Sequence, residues 1–67
     1  MPKAIGMIEL SSIALGYQVE DAMLKAAAVE LLVARTICSG KYIVIVGGEV
    51  ADINSSVEAG LGAALDS

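Results

Sequence analysis

The stretch TICSGKYIVIVGG, Thr36 to Gly48, decides the fold. The run VELLVARTI, Val29 to Ile37, leads into it, and YIVIV, Tyr42 to Val46, forms its second half. β-Branched side chains are stiff and pack well on a pleated surface. Two such runs joined by a short, glycine-bearing link read as an antiparallel hairpin. The link is Cys38-Ser39-Gly40-Lys41, and Gly47-Gly48 ends the second strand. The tip therefore carries the only cysteine of the chain, at a place where packing has little use for it.

Before the hairpin, AIGMIEL (Ala4 to Leu10) reads as a further buried strand. Ser11 and Ser12 offer capping hydroxyls, and SSIALG is expected to form a turn or a short helical lead-in. From about Gln18 the period becomes helical: Val19, Ala22, Met23, Ala26 and Ala27 recur at three- and four-residue spacing. This helix is expected to end near Ala28. Asp21 and Lys25 form an i,i+4 acid-to-base pair on its outer side, worth about 0.3 kcal/mol.

After the hairpin, Glu49 onward is helical again, with Val50, Ile53, Val57, Leu61 and Ala64 as the expected buried stripe. Glu49 and Asp52 sit in the first turn, where the helix dipole favours negative charge. Gly60 and Gly62 each weaken the helix by about 1 kcal/mol relative to Ala, which points either to close packing or to fraying.

The order is β-α-β-β-α, an α/β chain with an antiparallel sheet flanked by helices. A split β-α-β unit of this kind normally closes with a fourth strand. We therefore expect residues 1–67 to be one domain, incomplete at its C-terminus or completed by a partner's strand.

Composition narrows the function. The chain has 67 residues, of which 57% are hydrophobic, with no Trp or Phe and two Tyr. So small a domain buries only about 60% of the surface its unfolded chain exposes. Leftover apolar surface on such a domain marks an interface, and we expect a homo-oligomer. The net charge of −4 gives no basic footprint for nucleic acid. Lys3, Lys25, Arg35 and Lys41 are scattered, which does not suit an anionic membrane surface. Glu30 and Arg35 interrupt the apolar region before YIVIV, so no stretch is long enough to span a bilayer. No signal peptide is read at the N-terminus. A lone cysteine builds no internal disulfide, and the reading is cytoplasmic.

Catalysis is not expected. The chain has no His, the commonest general base and transition-metal ligand. Glu9, Glu30 and Glu49 show no spacing that pairs two carboxylates for acid–base work. Gly47-Gly48 before a helix lacks the remainder of a phosphate-binding fingerprint.

Taken in order, AIGMIEL, DAMLKAA, the small glycine-bearing hairpin tip and VGGEVADINSSVEAG resemble the bacterial microcompartment shell-protein (BMC) domain along nearly the whole chain. The resemblance implies a structural protein of a microcompartment shell, in which domains form six-fold or pseudo-six-fold tiles joined to other shell proteins. It implies that the loop Cys38-Ser39-Gly40 lines the central pore, through which small metabolites pass, and that Lys25 lies at a tile edge.

A cysteine in that loop is most similar to the first domain of the tandem-domain, propanediol-utilisation-type branch, where three chains make a tile. There TIC is followed by Pro-Gly-Lys, and three copies of the cysteine hold an iron–sulfur cluster at the pore; electron transfer across the shell is the use expected of such a cluster here. The resemblance thus implies Cys38 as a metal ligand and a [4Fe–4S] cluster shared between subunits. Ser39 stands in place of the proline, which loosens the turn.

Three readings of Cys38 stay open on the sequence: a small buried hydrophobe, a free thiol prone to oxidation, and a shared cluster ligand. A metal-free tile that passes metabolites, and a small oligomeric ligand-binding regulatory domain of similar fold, are the alternatives for the whole chain.

Overall fold

A computed structural model describes residues 2–38 and 40–65. The elements follow the expected order: β1 (Ala4–Leu10), α1 (Ile13–Ala26), β2 (Glu30–Cys38), β3 (Lys41–Gly48) and α2 (Val50–Leu65). The strands form one antiparallel sheet in the order β1-β3-β2. β3 pairs with β1 from Ala4 opposite Gly48 to Leu10 opposite Tyr42. On its other side β3 pairs with β2, with irregularities in β2 between Leu31 and Val33 and between Thr36 and Cys38.

Strand alternation decides which face is covered. Gly6, Ile8 and Leu10 of β1 and Tyr42, Val44 and Val46 of β3 point to one face and are buried. Val19 and Met23 of α1 and Ile53 of α2 complete the core on that face. Both helices therefore lie on the same side of the sheet and also pack against each other. Val19, Met23, Val44 and Val46 have no exposure at all.

Helix α1 begins at Ile13, five residues before the expected start. Its cap explains the extension. Ser12 is extended (φ −135°, ψ 124°), and its hydroxyl accepts a hydrogen bond from Leu15 N at 3.2 Å. The Ser12 carbonyl accepts another from Gly16 N at 3.0 Å. The expected lead-in is thus the first helical turn. The helix stops at Ala26, two residues before the expected Ala28, and Ala27 is already extended.

The expected stripe on α2 is corrected in part. Ile53 is buried, but Val50 and Leu61 are 59% and 49% exposed. The buried positions are Ile53, Ser56 and Gly60. This helix must lie close to α1, so small residues face inward. Ser56 Oγ donates to the Met23 carbonyl at 2.9 Å and is fully satisfied in the core. A Cβ on Gly60 would stand 2.7 Å from both Ile8 Cδ1 and Met23 Cγ, which settles the choice between close packing and fraying at that position.

Candidate functional site

The hairpin is built by its two strands and by one residue of the link. Cys38 ends β2 and Lys41 begins β3, and the two stand opposite each other in register. Gly40 has φ +76°, a left-handed conformation that costs a side-chain-bearing residue energy and glycine none. Of the three expected pore residues, Ser39 lies outside the described residues. Cys38 and Gly40 are both exposed. The reading of Cys38 as a small buried hydrophobe is therefore not realised within one chain, because β2 is an edge strand and buries none of its residues.

No residue of β2 is buried. All nine are exposed or half-buried, and Leu31, Leu32 and Ile37 keep 37–40% of their surface in water. Among the described residues, no three His, Cys, Asp or Glu side chains are placed to hold a metal ion. One chain thus offers one thiol. An iron–sulfur cluster held by thiolates requires several, so the donor set fits a cluster only where copies of the hairpin converge.

Lys25 lies in the last turn of α1, at the end of the domain away from the hairpin link, with its side chain 77% exposed. It makes the expected pair with Asp21, 3.0 Å from Nζ to Oδ2. The three glutamates weighed as catalytic do not come together. Glu30 and Glu49 line a hollow of ≈ 460 Å³ with Lys3, Gly47 and Gly48, whereas Glu9 lies towards the hairpin end of the sheet, level with Ile43. Lys3 Nζ approaches Glu49 Oε1 at 3.9 Å across open solvent, an ion pair of little energetic weight. Gly47 and Gly48 belong to β3 and pair with β1, so they form no phosphate-cradling loop.

Sequence reasoning missed a polar contact behind the sheet. Tyr42, buried on β3, donates its hydroxyl to Glu20 Oε1 of α1 at 3.1 Å, and its ring lies 5.4 Å from that of Tyr17. Burial, helped by the hydrogen bond and charge of Glu20, pushes the Tyr42 hydroxyl above its usual pKa of 10.0. The apolar-flanked tyrosine in KYIVIV was its one signal in the sequence. No helix among the described residues is long and apolar enough to cross a membrane.

A three-stranded antiparallel sheet with two helices on one face and a wholly unburied edge strand define a two-layer α/β domain. The chain belongs to the BMC domain family, whose sequence pattern matches residues 4–67. It is 47% identical over 66 residues to the bacterial microcompartment shell protein PduT of Citrobacter freundii, covering 98% of this chain and 36% of that protein. Its fold matches the crystal structure of a microcompartment protein from Desulfitobacterium hafniense with a TM-score of 0.88 and 55% identity, over 90% of this chain and 33% of that one. A trimeric bacterial microcompartment shell protein, PduB, matches with a TM-score of 0.85 and 27% identity, over 96% of this chain and 30% of its own. The chain thus spans about a third of the length of each of these relatives.

Proposed function

We propose that this domain is a structural element of a bacterial microcompartment shell, one sector of a pseudo-hexameric tile that joins other shell proteins. The observation that carries the reading is an exposed, unpacked hairpin tip on a chain similar to shell proteins from end to end. In this reading the Cys38-Ser39-Gly40 link borders a central opening, and the small residues beside Cys38 keep the bore open. Lys25, exposed at the far end of α1, reaches a neighbouring tile.

The groove of ≈ 650 Å³ between β1 and α2, bordered by Ile5, Met7, Ile53, Val57 and Leu61, takes a fourth strand paired to the open edge of β1. That strand comes from a longer polypeptide or from a partner. Three chains make the tile if the protein has tandem domains, and six if it has one.

Cys38 residues from several copies, drawn to one axis, would hold an iron–sulfur cluster, which the surrounding loop would tune through hydrogen bonds to sulfur. Such a cluster supplies single-electron transfer across the shell. The role of this chain's own residues is to present one thiolate per hairpin and to hold it there by the β2–β3 ladder.

Anaerobic purification of the full-length protein, with absorbance, iron analysis and electron paramagnetic resonance, tests the cluster. Bound iron that is lost in Cys38→Ser supports it. A colourless product that takes up no iron on reconstitution, yet assembles, leaves a metal-free tile passing small metabolites. A discrete dimer with a saturable small ligand identifies a regulatory domain instead.

A further inference from the structure

Both tyrosines of the chain, its only aromatic residues, meet at one place. Tyr42 is the last buried residue of β3 before the hairpin link. Three residues of α1 receive it. Its ring lies against the backbone of Gly16, where a Cβ would stand 2.7 Å from Tyr42 Cγ. The Tyr17 ring lies 5.4 Å away, tilted by 57°, an arrangement that aromatic pairs favour. The Tyr42 hydroxyl donates to Glu20 Oε1 at 3.1 Å. Gly16 and Tyr17 stand four and three residues before Glu20, so all three share one side of the helix.

Beyond Tyr42 the hairpin has little else to hold it. Leu10, Tyr42 and Thr36 make the last row across three strands, because β1 ends at Leu10. Past that row the hairpin is a two-stranded ribbon, a form that is marginal by itself in water and twists readily. Its remaining register pair is Cys38 with Lys41, and β2 is irregular just before it. Ile37, Cys38, Gly40 and Lys41 are all exposed. A Cβ on Gly40 would meet nothing within 4 Å.

We propose that Gly16, Tyr17 and Glu20 form a socket on α1 that seats Tyr42 and thereby sets where the hairpin tip, and Cys38 with it, stands. Tyr42 and Glu20 are positioning residues, which act on the tip through β3. The inference rests on the tile reading above for what the tip does, and it names the part of the chain that holds the tip in place. The Tyr42 side chain is fixed at both ends, its ring by Gly16 and its hydroxyl by Glu20. β3 therefore cannot slide or rock at that row without losing a close contact or a hydrogen bond to a carboxylate. Lys41, opposite Cys38, follows directly. A site gathered from several copies needs each contributing group held within about 0.5 Å, which an unpacked ribbon does not ensure. The socket also accounts for Gly16, a poor helix residue placed where a ring must approach the backbone.

The test measures the tip within one chain. In the full-length protein, with any other cysteine replaced by serine, nitroxide labels are placed at Cys38 and at Ser55→Cys, an exposed position on α2. Dipolar electron paramagnetic resonance then reads one intramolecular distance, and dilution with unlabelled protein removes distances between chains. Tyr42→Phe keeps the ring and loses the hydroxyl, and Glu20→Ala removes its acceptor. Each loses a hydrogen bond to a charged group and is expected to broaden the distance distribution about 1.5-fold. Glu20→Gln keeps an acceptor and is expected to restore the wild-type width. Val44→Ala, two residues deeper in the same strand and fully buried, is expected to lower stability without changing the width. A tyrosine that only fills the core would move stability and not the tip. An unchanged width in Tyr42→Phe, a Glu20→Gln distribution as broad as that of Glu20→Ala, or equal broadening in Val44→Ala therefore overturns the inference and leaves the tile reading standing. A protein that never associates overturns the tile reading, while the widths still decide on the socket.

Discussion

β2 and β3 are neighbours in one hairpin and almost equally apolar, yet they are buried to opposite degrees. β3 holds Tyr42, Val44 and Val46 at 4% exposure or less, while β2 buries none of its nine residues. The sequences ELLVARTIC and KYIVIVGG do not explain the difference; position does. β3 is central, paired on both sides and roofed by two helices. β2 is an edge, reached only by the fringe of α1. The apolar residues of β2 therefore do little for the fold of one chain. Edge strands of monomeric proteins are normally blunted with charge, proline or brevity. β2 is long and carries Leu31, Leu32, Val33 and Ile37, which fits a strand covered by a neighbour.

The largest expected effect sharpens that contrast directly. Val44→Ala in β3 removes two fully buried methyl groups and leaves a cavity, and is expected to cost about 2.5 kcal/mol in urea unfolding. Ile37→Ala in β2 is expected to cost less than about 1 kcal/mol in the dissociated chain, because its side chain is already 40% exposed there. Equal costs for the two in the dissociated chain would break the comparison.

A second pair extends it to α2. Gly60→Ala forces a methyl group against Ile8 and Met23 and is expected to destabilise by about 1–2 kcal/mol. Gly62→Ala, two residues on, meets nothing within 4 Å and is expected to stabilise by about 0.5–1 kcal/mol. Chemical denaturation of both variants reads the signs.

The smallest effect concerns Tyr42, which closes the covered side. Its folded-state pKa lies above the unfolded value of 10.0, first through burial and then through Glu20. The neutral hydroxyl is thus held more tightly in the folded chain. The stability it contributes is complete below pH 10.0 and is lost as pH rises through the folded-state value. Unfolding midpoints measured from pH 8 upward are expected to fall more steeply in the wild type than in Tyr42→Phe.

Much of this was legible in the residues. Two β-branched runs joined by a glycine-bearing link marked β2 and β3, and the short apolar run AIGMIEL marked β1. The start of α1 was not legible: Gly16, a weak helix former, hid a first turn that the Ser12 cap secures. The inner face of α2 was misread because hydropathy favours Val50 and Leu61. Close approach to α1 instead selects Ser56 and Gly60, and the Ser56 hydroxyl is paid for by the Met23 carbonyl. Cys38 stood out as a lone thiol at a tip, but the sequence left burial open, and the structure shows the residue exposed within one chain. What several such thiols do together belongs to the assembly, which the order of residues in one chain encodes only through the surfaces it leaves apolar.

Cys38 is the only thiol of these 67 residues, so with any other cysteine of the full-length protein replaced by serine a nitroxide label reports on the tip, and dipolar electron paramagnetic resonance of the assembled protein measures the spacing of the tips. Convergent hairpins predict distances between chains well below 31 Å, the long dimension of one domain. Distances centred beyond that length, in a protein that does assemble, would show the tips on the outside of the tile and contradict the account.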